Sequence, residues 1–347
     1  VDTSFPGVEA VLDDAIARRV FPGAVVEVGR AGAVLGTVAR GALTYASDAD
    51  AVAVTTIYDL ASLTKVLATT ALIASEIGRG RMRINDRVRH WIPSWTGDER
   101  QPVTLQDLLE HCSGLPAHRP YWEHRHGRAS FELAICEEPL DYLPRTRSIY
   151  SDPGFMLLGF AIERAGGAPL NRLFDEWRDR ELGHDVELAF GAAPEWLART
   201  APTEDTAFGE ERRGVVHDEN CAALDGVAGH AGLFGTAAAV GACARWWLAS
   251  SQWPQFMQKS RTPGSSRALG WDTMLPTSSC GTRLSERAVG HTGFTGTSLW
   301  LDPEQDLYVV FLSNRVHPTR TGEGIQEARR ALHDAVVSDL TVLVPGT

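Results

Sequence analysis

Apolar side chains recur along the 347 residues at two spacings, and the switches between them divide the chain into segments. Residues 7–20 (GVEAVLDDAIARRV) carry apolar positions at helical spacing and stop before Pro22-Gly23, which predicts an opening helix. Residues 24–28 and 33–39 read as two strands joined at Arg30-Ala31-Gly32. From Ser62 to about Ile77 the pattern is that of a buried helix, stopped at Gly78. Further helices are expected over residues 105–110, 155–165 and 170–182. Residues 226–235 form a glycine-rich turn region leading into a helix through Trp247, and Trp246-Trp247 is expected to pack in the core. Strand chemistry returns late: residues 298–301 and 307–312 flank Asp302-Pro303-Glu304-Gln305-Asp306, the pattern of a hairpin. Residues 323–340 close the chain as an amphipathic helix.

This order predicts one sheet layer built jointly by the two ends, with a helical insertion between them. The boundaries expected are residues 1–80 and 265–347 for the sheet-plus-helix part and 81–264 for the helical part, within a single domain. Hydrophobic content of 44% and charged content of 22% are ordinary for a globular protein. A net charge of −11 repels phosphate backbones and anionic bilayers, so neither nucleic acid nor a membrane surface is expected as a partner. No apolar run reaches the ~20 residues of a spanning helix; residues 66–74 and 227–242 come nearest and read as buried helices. The sequence opens at Val1 with no visible signal peptide, although a cleaved leader would look the same. Cys112, Cys136, Cys221, Cys243 and Cys280 are odd in number and lack CxxC spacing, which argues for scattered buried thiols and leans towards a cytoplasmic compartment.

Candidate chemistry concentrates in three places. Residues 60–75 contain one charge, Lys65, three positions after Ser62, so on a helix both side chains share a face. Desolvation of that ammonium would lower its pKa and make a neutral amine available as a base. Ser62 near the helix start has an N–H free to bond an oxyanion. The plain structural alternative is a capping serine and a snorkelling lysine. Farther on, Tyr150-Ser151-Asp152-Pro153 runs into a helix; Asp152 as N-cap followed by proline would account for that stretch without any chemistry. Gly290-His291-Thr292-Gly293-Phe294 precedes the late hairpin, where glycines would let a substrate approach the strand.

Ser62-Leu-Thr-Lys65, Tyr150-Ser-Asp152 and His291-Thr-Gly293 occur in that order, with flanking phrases His111-Cys-Ser-Gly-Leu-Pro116, Gly229-His-Ala-Gly-Leu-Phe-Gly235 and Leu269-Gly-Trp271. From about Gly7 to about Val316 the chain thereby resembles the serine β-lactamase and penicillin-binding protein superfamily, closest to class C β-lactamase-like esterases. The resemblance implies an α/β (α+β) fold, with an antiparallel sheet flanked by helices and an inserted, mostly helical subdomain. It implies Ser62 as acylated nucleophile, with Lys65 and Tyr150 handling its proton and either one as the base. The oxyanion hole would be the backbone N–H groups of Ser62 and Phe294, with Asp152, His291, Thr292 and Gly293 meeting the substrate. No cofactor or metal is implied.

Two departures bear on substrate. Asp152 stands where the family usually has asparagine, and an ionised carboxylate cannot donate a hydrogen bond to a substrate carbonyl. It would instead pair with Lys65, hold it protonated and favour Tyr150 as base. His291 stands where lysine is usual, replacing a permanent cation by a mostly neutral imidazole. Phe294 adds apolar bulk. The expected activity is therefore that of a carboxylesterase on small esters, the alternative being a β-lactamase or D-alanyl peptidase. A non-catalytic binding protein on the same fold is the contrasting class, but its expected mark, loss of the serine or lysine, is missing. His111, His118, His124 and His126 cluster in sequence, yet the intervening Pro116, Pro120 and Gly127 argue for a loop and not a metal site. His230 is assigned to a turn, and Tyr121-Trp122 to an apolar wall of the pocket.

Overall fold

The chain is described by a computed structural model that covers residues 4–250 and 253–343. The first helix, α1 (Pro6–Ala17), starts on its proline and buries Val8, Leu12 and Ala15. Strands β1 (Gly23–Arg30) and β2 (Ala33–Gly41) follow as an antiparallel hairpin, as their valine-rich pattern predicts. The short strand β3 (Tyr58–Asp59) leads into the Ser62 segment and helix α2 (Thr70–Gly78). In the middle lie α3 (Asp152–Gly166), α4 (Leu170–Glu181), β4 (Leu188–Phe190), β5 (Leu233–Gly235) and α5 (Ala237–Ala249). The end supplies β6 (Asp272–Thr273), β7 (Val289–Thr292), β8 (Ser298–Asp302), β9 (Leu307–Ser313) and α6 (Ile325–Leu343).

Among the described residues, six strands form one antiparallel sheet in the order β2-β1-β9-β8-β7-β6. The two ends of the chain meet at β1 and β9, where Val26 faces Phe311 and Val28 faces Val309. Period-two alternation sends successive side chains to opposite faces. Val26, Val309 and Phe311 pack with α1 and α6 residues such as Leu12, Leu332 and Val336. Val25, Val310 and Leu312 face the larger core with Leu72, Phe155 and Trp247. This is the expected antiparallel sheet between helices.

A second, three-stranded sheet, β3-β5-β4, joins residues the sequence pattern leaves as turn or loop. Its strands are two or three residues long, too short to show alternation. Trp247 is fully buried and Trp246 packs against it edge-on at 5.0 Å, in the core as expected. All five cysteines are buried free thiols. No helix among the described residues is long and apolar enough to cross a membrane.

Candidate active site

Ser62 sits in a 3-10 turn, Ala61–Leu63, and Lys65 opens a π-helical stretch, Lys65–Thr69, that continues into α2. The sequence predicts a regular helix here; the observed one is wound tightly and then loosely within two turns. Wide turns of this kind recur at functional sites. Before the serine, Ala61 has φ +46°, an uncommon value for a residue with a side chain. Asp59 holds that turn: its Oδ1 accepts from the Ala61 N–H at 2.8 Å and its Oδ2 from the His217 N–H at 2.7 Å. Burial pushes the Asp59 carboxyl up to about 6, against those two N–H donors.

The connection between β7 and β8 is sewn to the same turn. The hydroxyl of Thr295 donates to the Asp59 carbonyl at 2.7 Å and that of Thr297 to the Leu60 carbonyl at 3.1 Å. Gly293 is needed at this seam, because a Cβ there would lie 2.7 Å from the Leu60 carbonyl oxygen. Neither Ser62 N–H nor Phe294 N–H is taken by an acceptor among the described residues.

Lys65 is fully buried, and an ammonium has three N–H donors. Two of them meet Ser62 Oγ at 3.0 Å and the His230 carbonyl at 3.1 Å, and Nζ is ion-paired with Asp152 Oδ1 at 2.8 Å. Burial alone would lower the lysine's pKa, but Asp152 and Tyr150 together more than offset it and hold the ammonium above its ordinary value. The neutral amine expected from desolvation is thus opposed by the carboxylate placed against it. Burial likewise works to raise the Asp152 carboxyl, and Lys65, His118 and His230 override it, leaving it well below the usual carboxylate range. Asp152 is free for this role because it is not the helix cap: the Ser151 hydroxyl accepts from the Gly154 N–H at 3.2 Å and caps α3 instead.

Tyr150 lies with its ring centroid 4.8 Å from Lys65 Nζ, 4.7 Å from the His111 ring and 5.8 Å from the His291 ring. Burial raises its hydroxyl above the ordinary phenol value, while Lys65 and Ser62 act in the opposite direction. His291 is buried, its Nδ1 2.9 Å from the Thr292 carbonyl. Burial, reinforced by Lys65 and Arg267, pushes this imidazole well below its ordinary value, so it is neutral near pH 7. Ser62, Tyr150, Asp152, His291, Thr292, Gly293 and Phe294 all line one cavity of about 810 Å³. Phe294 stands at its mouth, 49% exposed, stacked on His217.

Some positions escape the sequence pattern or correct it. His111 is prominent in a flanking phrase but has no assigned role there; its Nδ1 accepts from the Ser151 N–H at 2.9 Å and so fixes the Tyr150–Asp152 segment. His118 lies 3.7 Å from Asp152, and Arg267 lies over the Tyr150 ring; single residues in loops give no periodic signal. His230 occupies a turn as expected, bridged between Ala228 and Ala231, with its ring 2.8 Å from Asp218. Tyr121 and Trp122 do not line the cavity: Tyr121 is buried against Phe131 and Trp122 faces outward. His124 and His126 lie in a loop.

A model of the Beta-lactamase family matches residues 8–333. The chain belongs to the β-lactamase family. It is 32% identical over 304 residues to an Escherichia coli K12 protein provisionally named D-alanyl-D-alanine carboxypeptidase, covering 76% of this chain and 70% of that one. Two of the solved structures that share its fold illustrate the range. One is EstCE1, a hydrolase with promiscuous acyltransferase activity (TM-score 0.78, 21% identity, 95% and 97% of the chains). The other is a class C β-lactamase from Rhodobacter sphaeroides (TM-score 0.76, 19% identity, 96% and 99%). The protein is a hydrolase of the serine β-lactamase fold.

Proposed function

We propose that this β-lactamase-family hydrolase is a serine esterase working through an acyl-enzyme on Ser62. One observation carries the reading: Lys65, at 3.0 Å from Ser62 Oγ, also donates to a carbonyl, is ion-paired with Asp152, and lies against Tyr150. An ammonium so pinned is a poor base but a good neighbour for a phenolate. Tyr150, once deprotonated, takes the Ser62 Oγ proton while Oγ attacks the ester carbonyl. The oxyanion accepts from the Ser62 and Phe294 N–H groups. Collapse breaks the acyl–oxygen bond, and the departing alkoxide takes the proton back from Tyr150. Water repeats the cycle and releases the acid.

Small esters are favoured as substrates because the Asp152 carboxylate offers no donor to a substrate amide, and Phe294 presents an apolar face at the mouth. A D-alanyl carboxypeptidase is the second reading, favoured by the name of the relative at 32% identity. The test is fluorophosphonate labelling with a substrate panel. Ser62→Ala is expected to abolish labelling and cut turnover by roughly 10³ or more; a folded variant with near-normal turnover removes Ser62 as nucleophile. For the wild type, kcat/KM on 4-nitrophenyl butyrate is expected to exceed that on nitrocefin at least about tenfold. A preference for nitrocefin or for a D-Ala-D-Ala peptide overturns the ester reading.

A further inference from the structure

A peptide's C=O and N–H belong to one conjugated unit, so what grips the oxygen is felt at the hydrogen. The peptide between Gly293 and Phe294 is gripped unusually. Its N–H, that of Phe294, is taken by no acceptor among the described residues. Its carbonyl, that of Gly293, accepts from the Gly296 N–H at 3.2 Å and from Arg329 Nη2 at 2.8 Å. The same Nη2 donates to the Thr297 carbonyl at 2.7 Å, which also accepts from the Gly293 N–H at 2.7 Å.

Arg329, on α6, is 3% exposed, and among the described residues it forms no ion pair with a carboxylate. The charged group that acts on it is Arg315, of its own sign, which donates to the Phe294 carbonyl at 2.8 Å. Arg329 Nε is buried without an acceptor. One turn along α6, His333 is buried too, and burial pushes its imidazole down to about 4, so it adds no charge. A charge taken out of water without a counter-ion is costly. Stitching the 293–297 turn to a helix needs only neutral donors; the cation supplies a field besides. Hydrogen bonds from an ionised donor are the stronger kind, and in a dry interior they polarise the groups they meet.

We infer that Arg329 is a positioning residue that polarises the Gly293–Phe294 peptide and makes the Phe294 N–H a stronger donor to the oxyanion. This rests on the reading of an acyl-enzyme on Ser62 with the Phe294 N–H in the oxyanion hole, and deepens it. It applies to any acyl substrate, because the charge acts on the developing oxyanion and touches no part of the leaving group.

Labelling with carbonyl-13C glycine and 15N phenylalanine marks three Gly–Phe peptides, at 154–155, 159–160 and 293–294. The first two lie in α3 and serve as internal references. The probe is butaneboronic acid, which forms a tetrahedral adduct on a nucleophilic serine. In the wild type the Phe294 amide proton is expected to move downfield when the adduct forms. It should move less in Arg329→Gln and Arg329→Met, two neutral variants that guard against loss of fold in either, with Arg329→Lys between. Rates on 4-nitrophenyl acetate are counted per site titrated with fluorophosphonate, so unfolded protein is left out. For the neutral variants kcat is expected to fall about tenfold with KM within about twofold of wild type, and Arg329→Lys to recover part of the loss. An adduct-induced Phe294 shift as large in the neutral variants as in the wild type overturns the inference and leaves Arg329 a structural stitch. Equal kcat in wild type and neutral variants overturns it as well. A Phe294 amide that stays put in the wild type while the boronate occupies Ser62 is a different failure: it removes that N–H from the oxyanion hole, and the inference with it.

Discussion

Ser62, Lys65, Tyr150 and Asp152 form a site with one proton too many for immediate attack. Lys65 and Tyr150 are both held above their ordinary pKa values, so near neutrality both are protonated. In the proposed mechanism the pair must lose one proton before Ser62 is deprotonated, and that proton belongs to the pair as a unit. For a neutral ester, kcat/KM is therefore expected to rise with pH through the neutral range. Asp152→Asn removes the anion that favours the charged lysine, lowers the pair's pKa and should move the ascending limb to lower pH. A pH–rate profile of both enzymes checks this, and an unmoved or upward-shifted limb contradicts it. With the two groups proposed to act as one unit, Lys65→Ala and Tyr150→Phe should each cost much activity and the double variant little more than the worse single one. Losses that multiply would show independent roles.

The seam between the Ser62 turn and the β7–β8 connection sets the geometry at the level of elements. Gly293→Ala would place a Cβ 2.1 Å from Thr297 Oγ1 and 2.7 Å from a backbone oxygen, which the strand can relieve only by moving away from the turn. Turnover is expected to fall by about tenfold or more, since misplacement on the ångström scale is costly to catalysis. Circular dichroism should show the fold retained; unchanged turnover would mean that the seam is looser than it is drawn. Elements with strong periodicity were legible in the sequence: α1, the β1–β2 hairpin, α3 to α5 and the late hairpin match their patterns within a few residues. The β3-β5-β4 sheet was not, because two- and three-residue strands carry no repeat. Nor was the π-helical stretch at Lys65, because its apolar spacing is that of an ordinary helix.

At the scale of the whole molecule, the first and last described helices are tied to each other. Phe5 precedes α1 and offers no side-chain cap, yet the first N–H groups of that helix are satisfied from across the fold: Asp339 on α6 accepts from Gly7 at 3.0 Å and Val8 at 3.1 Å. Asp339→Ala should remove this long-range cap and cost roughly 1 kcal/mol, read as a lower denaturant midpoint, with kcat/KM unchanged. A midpoint equal to wild type would show that solvent replaces the carboxylate without loss. Such a cap is invisible to local sequence reading, because its partners stand more than 300 positions apart. The three motifs at Ser62, Tyr150 and His291 were legible since each is a short run of residues. Arg267 was not, since only the folded chain brings that loop against Tyr150.

The threonine bonds from the β7–β8 connection to the Ser62 turn divide the cavity wall into parts with different tolerance for change. Residues 59–62 and 293–297 brace one another through Thr295 and Thr297, so an exchange of a bracing residue in either run disturbs Ser62, the proposed nucleophile, as well as its surroundings. His118 and Arg267 approach from loops outside that brace, and the Phe294 ring projects from it towards solvent. A mutational library that seeks new substrates therefore belongs at position 267 and the ring of 294, where diversity can be explored while the proposed bond-making machinery keeps its shape.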